Sequence, residues 1–242
     1  MGLTVIYRDE RLIAIDKPPG LLVHRSDIDR HETRFAVQLL RDQIGRRVQP
    51  VHRLDKGTSG VLLFALDADA ARHLGRQFEA DTVQKRYVAI VRGWPPESGV
   101  IEQPLARRHD EYGRETPRAE PQEALTRYRT LATVELPCEV EGYPTARYAL
   151  MELQPLTGRR HQLRRHLANI AHPIIGDATY GRGRHNRFFQ REFGCHRLLL
   201  ACVAMGVMHP DGYALRLAAA PGEEFRGLCE RFGWEYPGSP AL

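Results

Sequence analysis

Residues 52–67 read His52-Arg53-Leu54-Asp55-Lys56-Gly57-Thr58-Ser59-Gly60-Val61-Leu62-Leu63-Phe64-Ala65-Leu66-Asp67. The run 61–66 is apolar at every position, as expected of a strand buried on both faces. The nine residues before it are polar, charged and glycine-bearing, so they read as a loop feeding that strand. Asp67 caps the helix that follows, whose Ala70, Ala71, Leu74 and Phe78 fall on one side. An acid between Arg53 and Lys56 has two ingredients of a working carboxylate. Neighbouring positive charge favours an ionised form, and a Gly/Ser-rich loop lets a ligand backbone come close. An Asp that caps a turn beside a solvated Arg uses the same residues, and this string alone leaves both readings open.

Outward from it, short strands outnumber helices. Residues 3–7 and 11–15 read as strands around Arg8-Asp9-Glu10, and Lys17-Pro18-Pro19-Gly20 ends the second. Residues 35–46 carry a helical apolar stripe that Gly45 helps to close. Residues 85–92 read as a strand with Tyr87, Ala89 and Val91 on one face, and 124–134 and 147–154 as further strands. Thr157-Gly158 opens a basic helix over 160–170, ended by Pro173. Residues 198–207 form an apolar strand, and 222–232 a C-terminal helix with Phe225, Leu228, Cys229 and Phe232 at helical spacing. The polar stretch 107–123 is expected to be a loop insertion, and 237–242 a frayed tail. Strands and helices do not alternate strictly, and no G-x-G-x-x-G or Walker A string occurs, which disfavours a doubly wound parallel sheet. No repeat of solenoid period is present. The expectation is an α+β fold over 1–242 as a single domain: a mixed, largely antiparallel central sheet with flanking helices.

A chain of 242 residues that is 42% hydrophobic and 27% charged can bury a core, which excludes intrinsic disorder. It has no run of ~18 apolar residues that could cross a membrane. The start MGLTVIYRDERLIAID has no basic-then-apolar block, so no signal peptide is expected. Cys138, Cys195, Cys202 and Cys229 are dispersed without a C-x-x-C pair, which fits a reducing compartment such as the cytoplasm and disfavours a thiolate zinc site. Of 35 basic residues only Lys17, Lys56 and Lys85 are lysines. Between 159 and 197, nine arginines stand against Asp177 and Glu192, so that segment carries +7 of a net +5, leaving −2 elsewhere. A GC-rich genome accounts for Arg over Lys but not for the clustering, which is the footprint of a polyanion partner.

Two further strings carry candidate chemistry. In Lys85-Arg86-Tyr87, the tyrosine lies on the apolar face of a strand, where a buried hydroxyl needs a partner. In Thr157-Gly158-Arg159-Arg160-His161-Gln162-Leu163-Arg164-Arg165-His166, residues 160, 164 and 167 share one helix face and 161 and 165 another. One arginine can therefore point inward while its neighbours meet solvent. His161, His166 and His172 lack the i, i+4 spacing of a helical zinc pair, so no metal is expected. Ser59 stands in T-S-G rather than G-x-S-x-G, which argues against a serine nucleophile.

Taken together and in this order, Lys17-Pro18-Pro19-Gly20, the 52–60 string, Lys85-Arg86-Tyr87 and 157–166 resemble the motifs of the RluA family of pseudouridine synthases. The likeness extends over nearly the whole chain, starting directly at the catalytic part as in members without an N-terminal S4 module. The resemblance implies isomerisation of a uridine in RNA to pseudouridine, with no cofactor and no metal. It implies tRNA as substrate, at position 65 near the base of the TΨC arm, and action as a monomer. It assigns Asp55 as the essential carboxylate and Tyr87 as the residue that stacks on the uracil and is a candidate base for the C5 proton. Arg164 is assigned as the partner of the aspartate, and Arg53 as the residue that fills the space left by the flipped base.

Those assignments fit the chemistry. The N1–C1′ bond must break, the uracil must turn, and C5 must bond C1′. A carboxylate beside the ribose can stabilise or trap a cationic C1′, attack it, or remove the C2′ proton. A base in a stem must first be flipped, at a cost of a few kcal/mol. Arg159, Arg160 and Arg165 would hold phosphates, which makes binding salt-dependent. A synthase of the same family acting on rRNA, and a non-catalytic RNA-binding protein with the same fold, are the alternatives.

Overall fold

The computed structural model describes residues 2–25, 32–106 and 120–235. The expected 107–123 loop lies outside them except for 120–123, and the 237–242 tail lies wholly outside.

Among the described residues, ten strands join in one sheet. They are β1 Thr4–Arg8, β2 Leu12–Lys17, β3 Gln49–Pro50, β4 Ser59–Ala65, β5 Gln84–Arg92, β6 Ser98–Glu102, β7 Leu125–Leu136, β8 Ala146–Pro155, β9 Leu200–Met208 and β10 Ala214–Ala218. Five helices flank it: α1 Ala36–Ile44, α2 Ala68–Glu79, α3 Gln162–Asn169, α4 Gly183–Phe193 and α5 Glu223–Arg231. The order is β1-β2-β4-β9-β5-β8-β7-β6, with β10 pairing β9 and β3 pairing β4. Every strand pair is antiparallel except β4 with β9. This is the mixed, mostly antiparallel α+β architecture expected from the sequence. None of these helices is long and apolar enough to cross a membrane.

The local signals explain the elements. All seven residues of β4 are buried, as its unbroken apolar run requires. Asp67 caps α2 by accepting from the Ala70 N–H at 2.8 Å, and Gly45 ends α1 in the left-handed region at φ 66. Gly60 is obligatory where β4 meets β9. It sits at φ +102, and a Cβ there would stand 2.0 Å from the Cys202 carbonyl oxygen. Alternation along β5 divides the core: Val88 and Ile90 pack with α4 and α5 on one face of the sheet, while Ala89 and Val91 pack with Leu163 and Leu167 of α3 on the other. A third cluster joins α1 and α2 to β2 and β4.

Some elements differ from expectation. The basic helix starts at Gln162, not at residue 160, because His161 adopts φ 54 and serves as its N-cap. The helix α4 and the short strands β3, β6 and β10 had not been expected.

Candidate active site

The Asp55 loop is fixed from below. The Lys17 ammonium, with a residue exposure of 0%, donates to the carbonyls of Pro18 at 2.9 Å, Leu21 at 2.8 Å and Lys56 at 3.2 Å. Burial pulls its pKa down to about 7, against the opposing attraction of Asp55. The Gly20 N–H also donates to the Lys56 carbonyl, at 2.8 Å. Lys17-Pro18-Pro19-Gly20 is therefore a clamp on the Asp55 loop as well as a turn. On the other side His52 stacks on Phe78 and accepts from the Leu63 N–H at 3.0 Å, and Ser59 Oγ accepts from Arg197 at 2.6 Å.

A second framework presents Arg164 from α3. Gln162 anchors the start of this helix to β7. Its amide donates to Leu125 O and Thr126 Oγ1, both at 3.0 Å, and its oxygen accepts from the Thr157 hydroxyl at 2.8 Å and the Arg159 N–H at 3.0 Å. His166, fully buried, bonds Thr126 Oγ1 and Gln103 O, both at 3.0 Å. His172 bonds Arg92 O at 2.9 Å. These two histidines hold backbone and β7 in place.

Arg164 then reaches two acids. Its Nε and Nη2 donate to Asp177, each at 2.8 Å, and its Nη1 donates to Asp55 at 3.0 Å. The side chains of Arg164, Asp177 and Asp55 are 11%, 1% and 25% exposed. Burial works against the charge of Arg164, but its bonds to Asp177 and Asp55 outweigh that and hold the guanidinium above its ordinary range. Burial likewise opposes the charge of Asp177, and the same bonds hold its carboxyl below the usual value. His161 Nε2 stands 3.7 Å from Asp55, and its Nδ1 lies 3.1 Å from the Tyr180 hydroxyl. Burial lowers the His161 pKa, with Asp55 opposing, so the ring is neutral at pH 7.

Asp55 stands between two cavities. One, of about 320 Å³, is lined by Asp55, Tyr87, Arg164, Lys85, Leu163 and Leu200. The other, of about 720 Å³, is lined by Asp55, Arg53, Arg160, His24 and Lys56. Arg53, His161 and Arg164 border both. Tyr87 forms a wall of the smaller cavity, at a register shift between β5 and β9 that falls between Arg86 and Tyr87. Burial drives the Tyr87 hydroxyl well above its ordinary pKa, so it stays a phenol. Arg53 is exposed at the rim and makes no hydrogen bond or ion pair among the described residues.

The structure thus brings Asp55, Tyr87, Arg164, Arg53 and Arg159 to one cavity and Arg160 to its neighbour. Arg165 borders neither cavity, and its guanidinium donates to Ala106 O at 3.0 Å. Within the basic stretch, Arg164 and Arg197 are spent on internal bonds, and Arg159 donates to Glu123 O at 3.0 Å with Asp81 3.7 Å away. The sequence reading did not single out Lys17, Lys85, His161, Asp177 or Tyr180 as site residues. One signal pointed at two of them: in a chain that uses arginine almost throughout, all three lysines stand at this site. The arrangement offers an enclosed carboxylate with a fixed cationic partner, a flat aromatic wall and a cationic rim. Those groups suit a planar base on a sugar with phosphates at the mouth.

Comparison with known proteins agrees. Residues 11–169 match the family described as RNA pseudouridylate synthase. A protein of Vibrio cholerae called tRNA pseudouridine synthase C is 48% identical over 236 residues, covering 96% of this chain and 97% of its own. The Yersinia pestis protein of the same name is 48% identical over 235 residues, covering 96% of this chain and 91% of its own. Among solved structures, human RNA pseudouridylate synthase domain containing 4 superposes with a TM-score of 0.72 at 27% identity, covering 97% of this chain and 95% of that one.

Proposed function

The chain belongs to the RNA pseudouridylate synthase family and is an RNA pseudouridine synthase, and from that premise we propose that it converts a uridine of tRNA, at position 65, to pseudouridine with Asp55 as the essential carboxylate. The observation that carries the proposal is the Asp55–Arg164 pair at 3.0 Å, set in a cavity whose wall is Tyr87. The tRNA substrate is taken from the names of the relatives, and position 65 from the resemblance of the motifs.

In this reading the target nucleotide is flipped out of its stem, and Arg53 stacks in the gap. The uracil enters the smaller cavity against Tyr87, and the ribose lies at Asp55 between the two cavities. As N1–C1′ breaks, the bonding pair stays with the uracil. Asp55 meets the cationic C1′ or removes its neighbouring C2′ proton. Arg164, anchored by Asp177, pairs with that carboxylate and holds it in position. After the ring turns, C5 bonds C1′ and gives up its proton while N1, which kept the bonding pair, takes one up, so substrate and product are isomers. The Tyr87 phenol would have to lose its own proton before acting as the base for that step, so the geometry favours stacking as its role. Arg159 and Arg160 take phosphates at the rims. No metal or cofactor enters, and the reading places the enzyme in the cytoplasm as a monomer.

Mapping pseudouridine in tRNA and rRNA from cells with and without the gene tests this. Loss of one tRNA pseudouridine at position 65, restored by the wild-type gene, is the expected result. Loss confined to rRNA contradicts the substrate, and no loss anywhere contradicts the activity.

A further inference from the structure

The smaller cavity holds a cation that the steps above do not use. Lys85 is 8% exposed, yet among the described residues its ammonium makes no hydrogen bond and no ion pair. It precedes Tyr87 by two residues on β5, so the two side chains share a face, and both line the cavity that Asp55 borders. Its Nζ lies beside Gly158, 3.9 Å from where a Cβ would stand. The Asp81 Oδ1 lies 3.7 Å from that same point, so a largely buried lysine with no hydrogen-bond acceptor of its own and one nearby carboxylate borders the cavity. Burial pulls its pKa below the ordinary lysine value, with the Asp81 carboxylate drawing it back. Such a group awaits an acceptor brought by the ligand.

The position of Lys85 on the Tyr87 face of the cavity selects the acceptor. Phosphodiesters connect the flipped nucleotide to its neighbours and must stay at the mouth. The base is the part that enters against Tyr87, and its polar edge carries two carbonyl oxygens. The cavity around Lys85 is lined by Tyr87, Phe78 and Leu200 together with the acidic residues Glu79 and Asp81, which suits a flat neutral ring rather than a phosphate. We propose that Lys85 is a further catalytic residue, whose ammonium donates to a carbonyl oxygen of the flipped uracil and stabilises the negative charge that builds on the ring as N1–C1′ breaks. No proton is transferred: the lysine donates a hydrogen bond that strengthens as charge develops, and the bond weakens again when C5 joins C1′. The residue type fits, because a compact ammonium serves one oxygen where a forked guanidinium does not. The proposal rests on the reading of this cavity as the uracil site.

The test uses Lys85→Met and Lys85→Gln beside wild type, with tRNA carrying 5-³H-uridine. Saturating single-turnover rate, tRNA affinity and thermal stability are measured for each. The expected result is a rate about 100-fold lower, the range for removing one preorganised donor, with unchanged tRNA affinity. Lys85→Met should melt no lower than wild type, because the ammonium makes no hydrogen bond or ion pair among the described residues for the substitution to break. An unchanged rate in both variants overturns the proposal. So does weaker binding with a salt slope reduced by about one and an intact saturating rate, which marks a phosphate contact. A lower melting temperature together with a lower rate assigns Lys85 to the framework and overturns it too. An inactive wild type sinks the underlying reading as well, which separates that failure from failure of the proposal alone.

Discussion

Asp177 grips Arg164 through two hydrogen bonds of 2.8 Å, and that grip aims the third guanidinium nitrogen at Asp55. A side chain with several rotatable bonds would otherwise sweep a wide volume. Asp177 is itself held by the N–H groups of Thr179 at 2.9 Å and Tyr180 at 3.0 Å. The Asp55 carboxylate is thus steered by a second carboxylate on the far side of a shared cation. Two acids thus flank one guanidinium, and of the two only Asp55 borders the smaller cavity.

Asp177→Asn should break the fork while leaving a neutral isostere in place. Misplacing a catalytic group by ~1 Å can cost about 100-fold in rate, and single-turnover kinetics should show a loss of about 10- to 100-fold. Affinity for tRNA should be close to wild type, since the Asp177 residue is only 2% exposed. Disrupting a buried ion pair should also lower unfolding stability by about 3 kcal/mol, readable by denaturant melts. A variant with normal rate and stability would show that Arg164 needs no second anchor.

Arg53 should matter only when a base must leave a stem. Arg53→Ala is expected to slow reaction on folded tRNA by about tenfold, ~1.4 kcal/mol of the flipping cost. On a single-stranded oligonucleotide with the same target sequence the rate should hardly change. Equal losses on both substrates would place Arg53 at the reacting nucleotide instead.

Acid sensitivity should arise at His52. Burial, with Lys85 adding to it, lowers its pKa from 6.5 to about 3. The folded state therefore stays neutral while the unfolded chain takes up a proton below pH ~6.5. The stability contribution is complete above that value, declines as pH falls, and is gone near pH 3. His52→Gln, whose side-chain oxygen can still accept from the Leu63 N–H, should melt at a more nearly constant temperature between pH 6.5 and pH 4 than wild type. An equally steep decline in the variant would assign the acid sensitivity to other groups.

Local strings made much of this legible. The apolar run at 61–66 and the Asp67 cap follow from short-range physics, and β4 and α2 appear where they were expected. The helix α4 was hidden inside a basic stretch. Its His185, Phe188 and Phe189 are buried at helical spacing, but seen as charge the segment reads as a phosphate surface. The alternation of β10, with only Leu215 and Leu217 buried, is too short to stand out without its partner β9. Counting arginines could not separate Arg164, turned onto two acids, from Arg160, left at a rim, because that difference is made by the partners and not by the residue type. Asp177 was the lone acid among eight of those arginines up to residue 191, and that isolation was the available hint that it serves one of them.

The measurement closest to the central claim is tritium release from tRNA containing 5-³H-uridine by Asp55→Asn, alongside its tRNA affinity. The account predicts no release above background with binding retained, because the variant keeps the cationic rim and loses only the charge at the sugar. Release at most of the wild-type rate would contradict it.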